Sequence, residues 1–319
     1  MNKFFSERGV IVMKFVKAIN YTGFNYHCIG EEKTKENLEL MKKKTACNTV
    51  IIVLGALQDD PQSDFVDYHH SVMPKDPDLI DFIRYAKSLE LQVILKPVVE
   101  CRDGSSRSEI TCHADTWDKW IESYSDFILH YAKIAEKSGC EMFFVGCRLT
   151  KLQYMKESWH HLIGEVRKEY HGMLTYEADI YTEEKIPFWH ELDAIDSSGN
   201  YSMPDLEKEL ERLEQLALAY NKPLFMTECG CMSTKGASIT PNAWYLDGEL
   251  SLEEQVNFFT HLFKVCQNEK MLRGLGIWCW NNRRLTEKAS QLDKRYFIYG
   301  KPACEFIYKS WMNKLLFCS

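Results

Sequence analysis

The chain has 319 residues, of which 45% are hydrophobic and 27% are charged, and its formal net charge at pH 7 is −7. This length suffices for a full hydrophobic core, and we expect a single domain over residues 1–319 with its core at about 15–315. The acidic balance argues against a nucleic-acid or membrane-surface partner, because both require basic faces. A neutral or weakly charged ligand is expected instead.

Targeting signals and cysteine usage both indicate the cytoplasm. No apolar run reaches the roughly 18 residues that span a bilayer, and the start of the chain lacks the small-residue cleavage site of a secretory signal. The 12 cysteines occur without the small size and secretory context of a disulfide framework, so buried reduced thiols are expected. Cys229 and Cys231 have no second cysteine or histidine pair nearby, and no metal is predicted.

Strand-like and helix-like segments alternate along the chain. Strands are predicted at 15–19, 49–54, 91–97, 141–146, 173–177, 192–196, 223–230 and 274–280. Helices are predicted at 33–44, 76–89, 116–137, 158–170, 206–220, 251–268 and 303–315. Eight such units predict a (β/α)8 TIM barrel. The competing doubly wound sheet usually carries a glycine-rich phosphate loop, which this sequence lacks, so no cofactor is predicted.

The segment 223–230 is the most informative, because it combines an apolar strand with a carboxylate, Glu228, at its C-terminal end. In a TIM barrel this end of the strands is where active sites are built. Aromatic and polar residues collect at the other strand ends, among them Tyr26, Trp278, Trp280 and Asn282. Aromatic faces beside amides and carboxylates suit a sugar ring, which has an apolar face and a rim of hydroxyl groups. We therefore expect a saccharide ligand.

Four segments occur in an order that is specific, although each is weak alone: Ile94–Gly104, His130–Gly146, Trp159–Arg167 and Thr227–Glu228. Together they resemble glycoside hydrolase family 113, a family of β-mannan-cleaving barrels, over most of the chain from Phe15 to Pro302. The resemblance implies a retaining mechanism with Glu228 as the nucleophile. It also implies that Trp280 is the sugar platform of the eighth strand and that Tyr201 lies near the nucleophile.

The sequence departs from the family pattern at Arg148. The family has its acid/base glutamate at this position, two residues past the glycine that is Gly146 here. A guanidinium stays protonated near neutral pH and cannot shuttle a proton as a carboxyl group does. Ordinary retaining hydrolysis needs two carboxyl groups about 5 Å apart. Half of that machinery is therefore missing.

Three functions remain open. In the first, Glu228 works with a relocated proton donor, for which Glu177 is the first candidate and Glu100 the second, although Glu177 is equally expected as a partner of Arg148. In the second, Arg148 holds an anionic leaving group, which would define a glycosyl transferase or phosphorylase. In the third, catalysis is lost and the barrel binds a saccharide or a protein. Lys96, at the end of the third strand, is a candidate contact for a sugar hydroxyl or Glu228. Sugar identity, linkage and oligomeric state are not determined by the sequence.

Overall fold

The computed structural model describes residues 14–23, 28–243, 246–267, 269–283 and 285–313. Eight strands, β1 to β8, follow one another around a closed barrel, and helices lie between them along the chain. This architecture is a (β/α)8 TIM barrel, and the fold prediction is confirmed. None of the described helices is both long and apolar enough to cross a bilayer.

The strands are β1 Val16–Thr22, β2 Thr49–Gln58, β3 Gln92–Cys101, β4 Met142–Cys147, β5 Met173–Ala178, β6 Ile195–Ser197, β7 Leu224–Cys229 and β8 Leu272–Asn281. Every residue of β4, β5 and β7 is buried, as expected for barrel strands that are covered on both faces. The sixth strand begins later than predicted. Leu192 donates its N–H to the Trp189 carbonyl at 3.2 Å and so closes a 3-10 turn, which delays the strand to Ile195.

The helices are α1 Glu32–Thr45, α2 Asp76–Ser88, α3 Trp117–Ser138, α4 Lys156–Glu169, α5 Leu206–Tyr220, α6 Leu252–Cys266, α7 Glu287–Ser290 and α8 Pro302–Met312. Local backbone preferences explain two of the helix ends. Pro302 is the first residue of α8, and Asn221, in the left-handed region with φ +52°, caps the end of α5. The predicted helix ends at Asn268 and at 314–315 lie outside the described residues.

The described residues form two compact units. The first comprises the described parts of Met1–Gly23, Glu36–Val50 and Ser197–Ser319, and within it β8 pairs in parallel with β1 and with β7. The second comprises the described parts of Phe24–Lys35 and Ile51–Asp196, and within it β4 pairs in parallel with β3 and with β5. The single-domain organisation stays a prediction.

Candidate active site

Glu228 lies one residue before the C-terminal end of β7. The turn at Asn221 and the following Pro223 end α5 and let the chain enter the strand at Leu224. Glu228 is 4% exposed, and its backbone N–H donates to the Ser198 carbonyl at 2.9 Å. A rigid, buried strand end therefore carries the carboxylate.

The loop after β6 packs directly against β7. Gly199 has φ +75°, and a Cβ there would lie 2.6 Å from Cys229 Sγ, so only glycine fits this approach. The hydroxyl groups of Tyr201 and Ser197 are hydrogen-bonded at 2.9 Å, and Ser197 Oγ also accepts from the Gly199 N–H at 3.3 Å. Tyr201 is fully buried. This loop is thereby fixed against the strand that bears the predicted nucleophile.

Trp280 on β8 is fully buried. Its Nε1 donates to Asn37 Oδ1 at 3.1 Å, and its ring meets Tyr299 edge-on with centroids 5.1 Å apart. A ring without exposed surface offers no face to a sugar, which contradicts the predicted platform role of Trp280. Trp278, two residues earlier on the same strand, is partly exposed and is the better candidate.

Asn282 follows β8 and belongs to a polar network with β1 and α1. Tyr21 Oη donates to Asn282 Oδ1 at 2.8 Å, and Asn37 Nδ2 donates to Tyr21 Oη at 3.0 Å. The Asn282 side chain stays partly exposed, so a substrate contact there stays a prediction. Tyr26, the other predicted contact from the first strand-end loop, lies outside the described residues.

In the second unit, Arg148 directly follows β4. Its backbone has φ +53°, a conformation that costs a non-glycine residue about 1–2 kcal/mol. Two hydrogen bonds hold this turn: Arg148 N–H to the Glu177 carbonyl at 2.8 Å and Leu149 N–H to Tyr176 Oη at 2.9 Å. Arg148 Nε lies 2.9 Å from Asp179 Oδ1, and both side chains are about 15% exposed. The guanidinium is therefore ion-paired at the acid/base position of the resemblance.

Glu177 and Lys96 form a hydrogen-bonded ion pair in which neither side chain is exposed. Cys147 Sγ also donates to Glu177 Oε1 at 3.1 Å. The aliphatic and charged end of Lys96 packs over Phe144, with Nζ 5.3 Å from the ring centroid. An ammonium partner stabilises the ionised form of a carboxyl group, which is the opposite of what a proton donor requires.

Glu100, the second candidate donor, also has a cationic partner. Arg107 pairs with the Glu100 carboxylate through one guanidinium nitrogen and lies 2.9 Å from Cys147 Sγ through the other. Glu100, Glu177 and Asp179 thus each face a cation. The ends of β3, β4 and β5 form a charge-balanced cluster.

The cysteines behave as buried thiols. No disulfide occurs among the described cysteines. Burial raises the pKa of Cys231, and it raises the pKa of Cys279 to about 12. Protonated thiols are poor metal ligands. The absence of a metal at Cys229 and Cys231 stays a prediction.

Three residues of these contacts were not predicted: Asn37 and Ser197 in the first unit and Cys147 in the second. Asn37 reaches β8 from α1, so no local sequence pattern indicates its contact. Ser197 and Cys147 each end a strand, β6 and β4. Their positions as polar or thiol side chains at strand ends were the available signal.

A TIM barrel builds its active site at the C-terminal ends of the strands, and glycoside hydrolysis uses carboxyl groups there. The family model of Glycoside Hydrolase Family 113 matches residues 25–301, and the chain belongs to this family. The family prediction is thereby confirmed.

Solved structures agree with this assignment. One GH113 β-1,4-mannanase is 40% identical, with a TM-score of 0.91 over 94% of this chain and 100% of that chain. The GH113 β-mannanase from Alicyclobacillus acidocaldarius, solved in complex with ManMIm, is 31% identical, with a TM-score of 0.90 over 94% and 98%. A β-glucuronidase from Ruminococcus gnavus, 14% identical with a TM-score of 0.64 over 93% and 50%, shares the fold alone. No curated protein sequence matches the chain.

Proposed function

We propose that this barrel binds a β-linked saccharide of the β-mannoside class, with Glu228 as a retained nucleophile and without a proton donor for ordinary glycosides. The observation that carries the proposal is Arg148, held by Asp179, at the position where the resemblance puts the acid/base glutamate. The family relationship to solved β-mannanases supports the saccharide class. The strand-end position of Glu228 supports its role.

The chemistry follows from the two steps of a retaining mechanism. Glu228 attacks the anomeric carbon, and the leaving oxygen departs with the bonding electron pair, which leaves a glycosyl ester on the carboxylate. A sugar alkoxide must gain a proton as it leaves, and the Arg148 guanidinium does not release a proton near neutral pH. A nitrophenolate leaves without one. In the second step water needs a base, and without it the glycosyl ester persists.

The relocated-donor alternative is less well supported. Glu177 is fully buried against Lys96, and Glu100 is paired with Arg107, so each candidate carboxyl group already has a cationic partner. The anionic-leaving-group alternative is weakened as well, because Asp179 already offsets the positive charge of Arg148. The best-supported function is therefore a saccharide-binding barrel whose reaction stops after the first step, with the glycosyl ester on Glu228.

Calorimetric titration tests the binding half of this proposal. Manno-oligosaccharides and gluco-oligosaccharides of equal length and linkage are titrated into the unmodified protein. We expect the mannosides to bind with a measurable heat and the glucosides to bind more weakly. Absence of binding by every β-linked oligosaccharide would overturn the saccharide assignment.

A further inference from the structure

We propose that Tyr181 is an aromatic platform for one sugar of the bound saccharide, in a subsite beside the acid/base position that Arg148 occupies. The inference rests on the proposed function and adds a residue that holds the saccharide next to the bond under attack. Both residues lie in the second compact unit, Arg148 directly after β4 and Tyr181 three residues after β5. In TIM-barrel enzymes, the loops at this end of the strands build the active site.

The backbone of Tyr181 is strained for a residue with a side chain. Its φ is +63°, in the left-handed region that favours glycine. Among the described residues, Ala46, Glu90 and Asn221 share this conformation, but they follow the ends of α1, α2 and α5, where it commonly caps a helix. The remaining non-glycine residues with positive φ in the described ranges are Tyr181 and Arg148, and both lie in loops that follow barrel strands.

Asp179 ties the turn that carries Tyr181 to Arg148. Thr182 donates its backbone N–H to the Asp179 carbonyl at 3.1 Å, and Thr182 Oγ1 donates to the same carbonyl at 2.8 Å. Asp179 Oδ1 accepts from the Ile180 N–H at 3.1 Å and lies 2.9 Å from Arg148 Nε. Tyr181 is therefore the third residue of a hydrogen-bonded four-residue turn, where positive φ normally selects glycine or asparagine. The ion pair fixes this turn beside the acid/base position.

Burial does not account for a tyrosine at this strained position. Tyr181 is 49% exposed, so a large part of its surface is open to a ligand. Strained residues persist where the surrounding structure holds them, and they concentrate at ligand sites. A tyrosine on a fixed turn offers a broad face at a low cost in conformational entropy, and the apolar face of a sugar ring packs on such a surface. Because Asp179 offsets the charge of Arg148, the site favours a neutral sugar over an anionic ligand.

The test removes the ring and the backbone strain together. Tyr181→Gly takes away the aromatic face and places glycine at positive φ, where it is unstrained. Glu90→Gly is the control for the backbone change, because Glu90 is an exposed residue with φ +59°. Tyr308→Ala is the control for loss of an exposed tyrosine, because Tyr308 lies on α8 and is 37% exposed. Calorimetry measures the affinity for manno-oligosaccharides, and thermal unfolding measures the stability of the ligand-free proteins.

We expect Tyr181→Gly, and neither control, to weaken manno-oligosaccharide binding by about fivefold or more. The melting temperature of ligand-free Tyr181→Gly should equal or exceed that of the parent, because the strain is relieved. Tyr181→Phe keeps the ring and loses only the hydroxyl, so it should bind within about twofold of the parent.

Three results would refute the platform. The first is a Tyr181→Gly variant that binds manno-oligosaccharides as tightly as the parent does. The second is a Tyr181→Phe variant that loses as much affinity as Tyr181→Gly, because the ring face is then not what binds. The third is a ligand-free Tyr181→Gly variant that melts below both the parent and Glu90→Gly, because the ring then stabilises the fold. A parent that binds no saccharide overturns the proposed function, and the platform with it.

Discussion

Lys96 on β3 and Glu177 on β5, two strands with β4 between them, form an ion pair in which neither side chain has exposed surface. The pair extends through Cys147, which donates to the same carboxylate, to Arg107 and Glu100. Buried charges of this kind are tolerated only when each has a partner, since removal from water is costly. The strand ends of the second unit are therefore organised as a structural salt-bridge cluster.

Removing one member of this pair should destabilise the protein strongly. Lys96→Met leaves the Glu177 carboxylate buried without its ammonium, and we expect the free energy of unfolding to fall by about 3–5 kcal/mol. The double variant Lys96→Met with Glu177→Leu should recover most of that loss, because neither member of the pair is then left buried without the other. Urea unfolding of the three proteins measures this. A single variant as stable as the parent would contradict the structural role.

Restoring a carboxyl group at the acid/base position should restore hydrolysis. Arg148→Glu is best combined with Asp179→Asn, because Asp179 would otherwise face a second carboxylate in place of its cation. We expect hydrolysis of β-mannosides to rise roughly a hundredfold to ten-thousandfold. Asp179→Asn alone is the control and should stay inactive. Turnover of natural mannosides by the parent, abolished by Glu177→Gln, would instead establish Glu177 as the proton donor.

The two tryptophans of β8 should separate binding from stability. Trp278→Ala removes the partly exposed ring and should weaken saccharide binding by roughly 1 kcal/mol. Trp280→Phe keeps a smaller buried ring and leaves Asn37 Oδ1 without its donor, so it should lower the free energy of unfolding by about 1–3 kcal/mol with little change in affinity. Calorimetry and urea unfolding measure both. If Trp280→Phe weakened saccharide binding and Trp278→Ala did not, Trp280 would be the platform after all.

The neighbouring carboxyl groups of Glu214 and Glu269 should make the free energy of unfolding depend on pH. Burial raises the pKa of Glu269 to about 7, with Glu214 beside it, and Glu214 Oε1 accepts from the N–H groups of Lys270 and Met271 at 2.6 and 2.9 Å. Between the ordinary pKa of 4.5 and about 7 the folded state binds more protons than the unfolded state. Stability from this group is therefore present below pH 4.5 and is lost as the pH rises through 7.

The variant Glu269→Gln isolates this effect. It cannot ionise, so it should match the parent near pH 4 and exceed its free energy of unfolding at pH 8 by about 1 kcal/mol, a value reduced for solvent screening because Glu269 is only partly buried. Urea unfolding at both pH values provides the measurement. An equal difference between variant and parent at the two pH values would show that Glu269 titrates normally.

Much of the fold was predictable because buried parallel strands have nearly continuous apolar sequences. The run before Glu228, with Asn221 and Pro223 ahead of it, marked β7 to within a residue at each end. The start of β6 was not predictable in this way, because Leu192 is apolar but belongs to a 3-10 turn. Apolar character reports burial and does not distinguish a strand from a packed turn.

The sequence predicted that charged residues lie at strand ends, but it did not predict which of them pair. Glu228, Arg148 and Glu177 were placed at strand ends by the sequence alone. The partner of Glu177 could not be predicted, because the pairing of side chains between strands depends on register, and the sequence does not specify the register. Which of Trp278 and Trp280 is buried was not predictable for a similar reason, since both fit the same apolar pattern and the partner of the buried ring, Asn37, is distant in sequence.

Intact mass spectrometry with a dinitrophenyl β-mannoside tests the central claim most directly. The leaving group departs without a proton, so Glu228 should become glycosylated, and the ester should accumulate because no base activates water. We predict a mass increase of one hexosyl unit, mapped by proteolysis to the peptide that contains Glu228 and absent from Glu228→Gln. A parent protein that shows neither this adduct nor release of dinitrophenol would contradict a retained nucleophile and leave a barrel that only binds.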